Sequence, residues 1–106
     1  EMKNMKFNNV NVQQEANVYF DGKVISRSIN LIDGSLKTLG VMMPGEYKFD
    51  TKKKEVMDIS SGKVDVLLSE EQEWIKIEGG MSFEVPANSS FSIKVYSITN
   101  YCCSYI

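Results

Sequence analysis

Apolar and polar residues alternate along most of this chain, in short stretches with a period of two. In residues 23–32, Ile25, Ile29 and Leu31 share one face with Arg27, and Val24, Ser26, Ser28 and Asn30 share the other. In residues 46–50, Glu46, Lys48 and Asp50 lie opposite Tyr47 and Phe49, because strand side chains alternate. Val64, Val66 and Leu68 repeat the period, as do Met81, Phe83 and Val85, and then Phe91, Ile93 and Val95. Turn residues separate these runs: Asp21-Gly22, Asp33-Gly34, Pro44-Gly45, Ser61-Gly62 and Gly79-Gly80. The spacing predicts strands over 17–20, 23–32, 36–43, 46–50, 55–60, 63–68, 73–78, 81–85, 90–97 and 98–106. No stretch sustains helical apolar spacing, so the expected class is all-β, a barrel or sandwich.

The flanks and loops are less regular. Residues 1–15 are polar and Asn/Gln-rich around Phe7, Val10 and Val12, and read as a tail or weak edge strand. Residues 16–106 form the expected single domain. Residues 51–54 are a basic loop; its three lysines read first as a solvated tip, with a phosphate contact as the alternative. Residues 69–73 read as an acidic solvated turn.

Composition narrows the function. Hydrophobic residues make up 42% and charged residues 25%, ordinary for a globular protein and against disorder. The net charge of −2 argues against a general nucleic-acid or anionic-membrane surface. No apolar run approaches the ~18 residues of a membrane span, and no apolar core of a secretory signal is present, so a cytoplasmic location is expected. The only cysteines, Cys102 and Cys103, are adjacent and cannot form a secreted disulfide framework. They read first as a buried thiol and its neighbour at a strand end, with a soft-metal or redox site as the alternative. The absence of histidine removes the commonest transition-metal ligand and a Ser–His triad.

Two frames of small and acidic residues stand out. In the first, Gly40 is followed after five residues by Glu46, with Lys48 beyond, and Glu55 is followed after six residues by Gly62. In the second, Gly80 is followed by Pro86, Asn88, Phe91 and Val95. Together they resemble the two motifs of the cupins, small jelly-roll β-barrels, with Glu46, Lys48, Glu55 and Phe91 standing where metal-binding residues usually stand. The resemblance implies a single cupin-like barrel and an interior position for Glu46 and Glu55.

Six segments in order extend the match: YFDGKV at 19–24, GVMMPGEYKF at 40–49, EVMDISSG at 55–62, VLL at 66–68, FEVPANSSFSIKV at 83–95 and the ending YCCSYI. Together they resemble the pyrimidine/purine nucleoside phosphorylase family of small bacterial cupins, from Ala16 to Ile106. The resemblance implies phosphorolysis of purine and pyrimidine nucleosides to free base and pentose 1-phosphate, with broad base specificity. It implies nucleoside and inorganic phosphate as partners and no metal or organic cofactor. A homodimer is also expected, since many short strands leave edges to cover.

The chemistry needs three kinds of group. Cleaving an N-glycosidic bond builds positive charge on the sugar, which a carboxylate stabilises; Glu46 and Glu55 are the candidates. Phosphate needs cations and hydroxyl donors, and Lys23, Ser26, Lys37, Thr38 and Lys48 are the candidates. The base needs a flat apolar wall, for which Phe91 is the first candidate, with Tyr47, Phe49 and Tyr105 as alternatives. Each has a plainer reading: a surface or salt-bridged carboxylate, a solvated lysine, a core aromatic.

The chain departs from the family at two positions. Members commonly carry an arginine just before the Gly40 strand and another just before the terminal dipeptide. Here residues 34–37 read Gly-Ser-Leu-Lys, and residue 104 is Ser. Lysine does not reproduce the arginine fork. The alternative function is therefore a non-catalytic cupin that binds a nucleoside or sugar. A metal-dependent dioxygenase or isomerase would need several N/O ligands, and Glu46, Lys48, Glu55 and Phe91 are a poor set.

Overall fold

The chain folds into two antiparallel sheets that share one core, as a computed structural model describing residues 2–106. The strands are β1 (Asn11–Val12), β2 (Asn17–Tyr19), β3 (Val24–Asn30), β4 (Leu36–Met42), β5 (Gly45–Asp50) and β6 (Glu55–Ser61). They continue with β7 (Lys63–Leu68), β8 (Ile75–Glu78), β9 (Met81–Val85), β10 (Ser90–Val95) and β11 (Thr99–Tyr105). The larger sheet has seven strands, in the order β1-β3-β4-β11-β6-β9, with β2 also paired to β3. The smaller has four, in the order β5-β10-β7-β8. The all-β class is as expected; neither sheet closes on itself, and two open sheets pack against each other around the core.

Burial of apolar side chains holds the sheets together. Val24, Met42 and Ile59 from the larger sheet meet Val64, Val66 and Ile93 from the smaller, all fully buried or nearly so. Burial of this kind is the dominant favourable contribution to folding. The two faces of β3 divide as the alternation expects. Val24 and Ser26 face the core and Ile25 faces outward. Ile29 is buried away from the main core, with Val12 of β1 as its cross-strand partner.

The turns follow their residue chemistry. Asp33-Gly34 makes the hairpin from β3 to β4. Gly34 has φ +86°, and the Asp33 carboxylate accepts hydrogen bonds from the Ser35 amide and hydroxyl at 2.9 and 2.6 Å. The turn after β2 is less ordinary. Phe20, Asp21 and Gly22 take φ values of +52°, +56° and +90° in succession. Only the glycine adopts that region without steric cost. The Phe20 ring compensates by packing 4.9 Å from Tyr47 and 5.4 Å from Phe49, centroid to centroid.

Gly40 has a packing role. It is the cross-strand partner of both Ser26 and Tyr101. A Cβ at Gly40 would stand 2.5 Å from the Tyr101 ring and hydroxyl. The missing side chain lets Tyr101 lie flat across β4, and its hydroxyl hydrogen-bonds Ser26 on the far side.

Candidate active site

A cavity of about 140 Å³ opens between the sheets at one end of the core. Register sets its polar lining. Ser28, Thr38, Cys103 and Met57 form one cross-strand row, and Ser26, Gly40 and Tyr101 the next. Tyr105 pairs with Glu55 one row beyond. Because alternate residues share a face, Ser26, Thr38, Glu55, Tyr101, Cys103 and Tyr105 all line the same cavity. The smaller sheet contributes Phe49, Asp50 and Phe91, and Tyr19 lies on the rim.

Glu55 is the chemical centre of this lining. Burial pushes its carboxyl above the ordinary value of 4.5, and a Cys103 hydrogen bond works in the other direction. The Cys103 thiol donates to Glu55 Oε1 at 3.4 Å. Thr38 Oγ1 and the Tyr105 hydroxyl lie 3.2 Å apart and share a hydrogen bond. Burial pushes both the Tyr101 hydroxyl and the Cys103 thiol up to about 12, and pushes Tyr105 up as well. These groups are therefore neutral donors near neutral pH, and the Cys103 thiol is not an activated nucleophile. Glu55 is a carboxylate ringed by neutral hydroxyls and a thiol.

The aromatic wall is continuous. Phe49 stacks on Phe91 at 5.5 Å with 26° between ring planes, and Phe83 meets Phe91 edge-on at 5.6 Å. Phe91 is only 2% exposed, so much of its surface serves the core. Phe49 is half-buried and extends the wall toward the rim.

Four of the first candidates meet here, Ser26, Thr38, Glu55 and Phe91, joined by Phe49 and Tyr105, two of the alternatives for the base wall. The others do not, and each has a physical reason. Glu46 was expected inside but lies exposed on the outer side of β5, because Tyr47 and Phe49 take the inner side. Its cross-strand neighbour is Lys94, followed by Asp65 and Lys76, a row of alternating charge. Lys48 shares that outer side, in a shallow groove with Ser69, Ser90 and Ser92. Lys37 alternates with Thr38 and so faces away from the cavity, donating to Ser104 Oγ at 2.6 Å. Lys23 is exposed just before β3.

Sequence reasoning gave no site role to Tyr101 or Cys103 and only a secondary one to Tyr105. The ending YCCSYI carried a signal: strict alternation puts Tyr101, Cys103 and Tyr105 on one face, Cys103 being buried and Cys102 half-buried on the other. No group of three or more Cys, Asp or Glu side chains among the described residues could hold a metal ion. With Glu55 as the remaining oxygen donor at the former ligand positions, the cavity does not fit the metal centre of a metal-dependent cupin.

The chain matches the family described as pyrimidine/purine nucleoside phosphorylase over residues 14–105. It belongs to that family. A relative so named from Sulfurovum is 56% identical over 95% of this chain and 98% of its own length. A solved protein of unknown function from Acinetobacter superposes with a TM-score of 0.93, at 37% identity, over 95% of this chain and 98% of that one. An ethanolamine utilization protein from Salmonella typhimurium, 11% identical, has a TM-score of 0.68 over 91% of this chain and 95% of that one. At that distance the likeness concerns the cupin-like fold alone. Membership of the nucleoside phosphorylase family agrees with a cavity that offers a carboxylate, hydroxyl donors and a flat apolar wall.

Proposed function

We propose that this protein is a pentosyltransferase that splits purine and pyrimidine nucleosides by phosphorolysis. A phosphate oxygen bonds to the anomeric carbon, the carbon–nitrogen bond breaks, and the base departs with the electron pair and takes up a proton. The products are free base and pentose 1-phosphate. The observation that carries this reading is half-buried Glu55 amid neutral donors. Ionised, it accepts a hydrogen bond from a sugar hydroxyl and stabilises the positive charge that develops on the pentose. Thr38 and Tyr105 supply hydroxyls to orient the sugar, and Phe49 and Phe91 form the wall against which the base lies. A wall that meets the face of a ring, with few groups aimed at its edge, supports broad base specificity. The cytoplasm suits the two free thiols.

The test is release of free base from several nucleosides, with and without inorganic phosphate. Release that depends on phosphate supports the reading. One feature favours a second reading, a binding module without turnover: no lysine or arginine lines the cavity. Nucleoside binding with no base release under any phosphate concentration would establish that reading instead.

The homodimer belongs to the same proposal. On the outer side of the larger sheet, Arg27, Leu39, Cys102 and Asp58 form one cross-strand row. The centre is apolar and the ends carry opposite charges, with Ile25, Leu39 and Met43 all 38% exposed nearby. A two-fold axis between Leu39 and Cys102 would set Arg27 of one copy over Asp58 of the other, twice. Such self-complementarity is what an isologous interface requires.

A further inference from the structure

Phosphorolysis needs a dianion beside the sugar, yet the cavity lining carries Asp50 and Glu55 and no lysine or arginine. Phosphate approaching such a lining is repelled unless positive charge stands at the mouth. The β5–β6 connection, residues 51–54, is placed to supply it, because it joins those two carboxylate residues.

Both ends of this connection are pinned. Thr51 is 5% exposed; its hydroxyl donates to the Pro86 carbonyl at 2.6 Å and accepts from the Ser89 amide at 3.0 Å. Its own amide donates to the Ser89 carbonyl at 2.9 Å. At the other end, the Lys54 carbonyl accepts from the Ile106 amide at 2.9 Å, and Lys54 Nζ pairs with Glu84 at 2.9 Å. Between the pinned ends, Lys52 and Lys53 are exposed, with no hydrogen bond or ion pair among the described residues. Lys37 and Lys48 face outward from their sheets, and Lys54 is paired.

Resting on the phosphorolysis reading, we propose that Lys52 and Lys53 are the phosphate-binding cations of this site, holding inorganic phosphate before reaction and the phosphate of pentose 1-phosphate after it. A lysine ammonium is a mobile point charge on a long stem, suited to a group that arrives and leaves. The ends of the connection are held, so both lysines project from a fixed stretch of backbone between two lining residues.

The experiment compares wild type with K52A/K53A, and with K63A/K76A on the outer side of the smaller sheet as a control. Inorganic phosphate is titrated calorimetrically, and base release is followed with phosphate and nucleoside varied separately. In K52A/K53A the phosphate Kd and phosphate KM should rise roughly tenfold or more, with nucleoside KM and melting temperature unchanged. K52R/K53R should recover most of the binding, and K63A/K76A should match wild type. Phosphate Kd equal in wild type and K52A/K53A, or no phosphate binding by wild type, overturns the assignment. Absence of phosphate-dependent base release from wild type overturns the phosphorolysis reading alone, since the titration tests the two lysines without turnover.

Discussion

Cys103 donates its thiol hydrogen to Glu55 at 3.4 Å, and each sits where burial disfavours its charged form. The pair keeps one half-buried carboxylate oriented in a cavity whose other lining, Asp50 apart, is neutral. Replacing Glu55 by Gln retains an acceptor for the thiol and removes the charge. Base release should fall by roughly 10²–10³-fold, the usual effect of losing one well-placed electrostatic contact. The melting temperature should hold or rise, because a half-buried charge is gone. Unchanged turnover in a folded E55Q would remove Glu55 from the chemistry.

The same residue sets a pH dependence. Burial raises its carboxyl pKa above 4.5, so the ionised form appears at higher pH than in an ordinary glutamate. Base release should decline as pH falls through that raised value. Stability should run the other way. The native state keeps the proton to higher pH than the unfolded chain, so this contribution is complete below 4.5 and lost as pH rises through the folded value. E55Q should lack that drift, and denaturant unfolding across the acid range measures it directly.

Glu46→Gln should do little. Its side chain is exposed beside Lys94 on the outer side of the smaller sheet. Turnover should change less than about twofold, and stability by about 0.5 kcal/mol or less. A loss of turnover as large as that of E55Q would bring Glu46 into the site by a route other than this cavity.

Gly40→Ala should be costly for its size. The new Cβ would meet the Tyr101 ring at 2.5 Å, and the ring could yield only by leaving Ser26 and the cavity floor. Overpacking of this kind typically destabilises by about 1–3 kcal/mol. Nucleoside KM should rise as well, whereas Gly34→Ala, in open space at a turn, should affect stability only. Denaturation curves and steady-state kinetics of the two variants separate these effects.

The proposed dimer face can be tested by charge exchange. R27D should shift sedimentation toward monomer by placing two acidic side chains together at each end of the row. R27D/D58R should restore the dimer. A wild type that remains monomeric at micromolar concentration would count against the interface.

Much of this fold was legible in the alternation of residues. Lys63–Leu68 and Met81–Val85 coincide with their expected spans, and the Asp-Gly, Pro-Gly and Ser-Gly pairs lie at turns. Glu55 and Phe91 reached the site through their positions in the frames, and Ser26 and Thr38 as hydroxyl donors suited to phosphate. Alternation alone did not say which side of β5 faces inward. Burial decided for Tyr47, whose hydroxyl donates to the Met43 carbonyl at 2.7 Å, and so turned Glu46 and Lys48 out. Tyr101 and Cys103 were harder to assign because their partners are remote in sequence. Gly40 and Glu55 meet them only through the pairing of β11 with β4 and β6.

The left-handed run at Phe20, Asp21 and Gly22 has a mechanical consequence for the cavity. Two of its residues hold a conformation that disfavours side chains, at about 1–3 kcal/mol each. Ring contacts to Tyr47 and Phe49 hold it there, and Phe49 also belongs to the cavity wall. The Phe49 ring is thus shared between the strained turn and the cavity wall, so what holds the turn in place also shapes one side of the cavity.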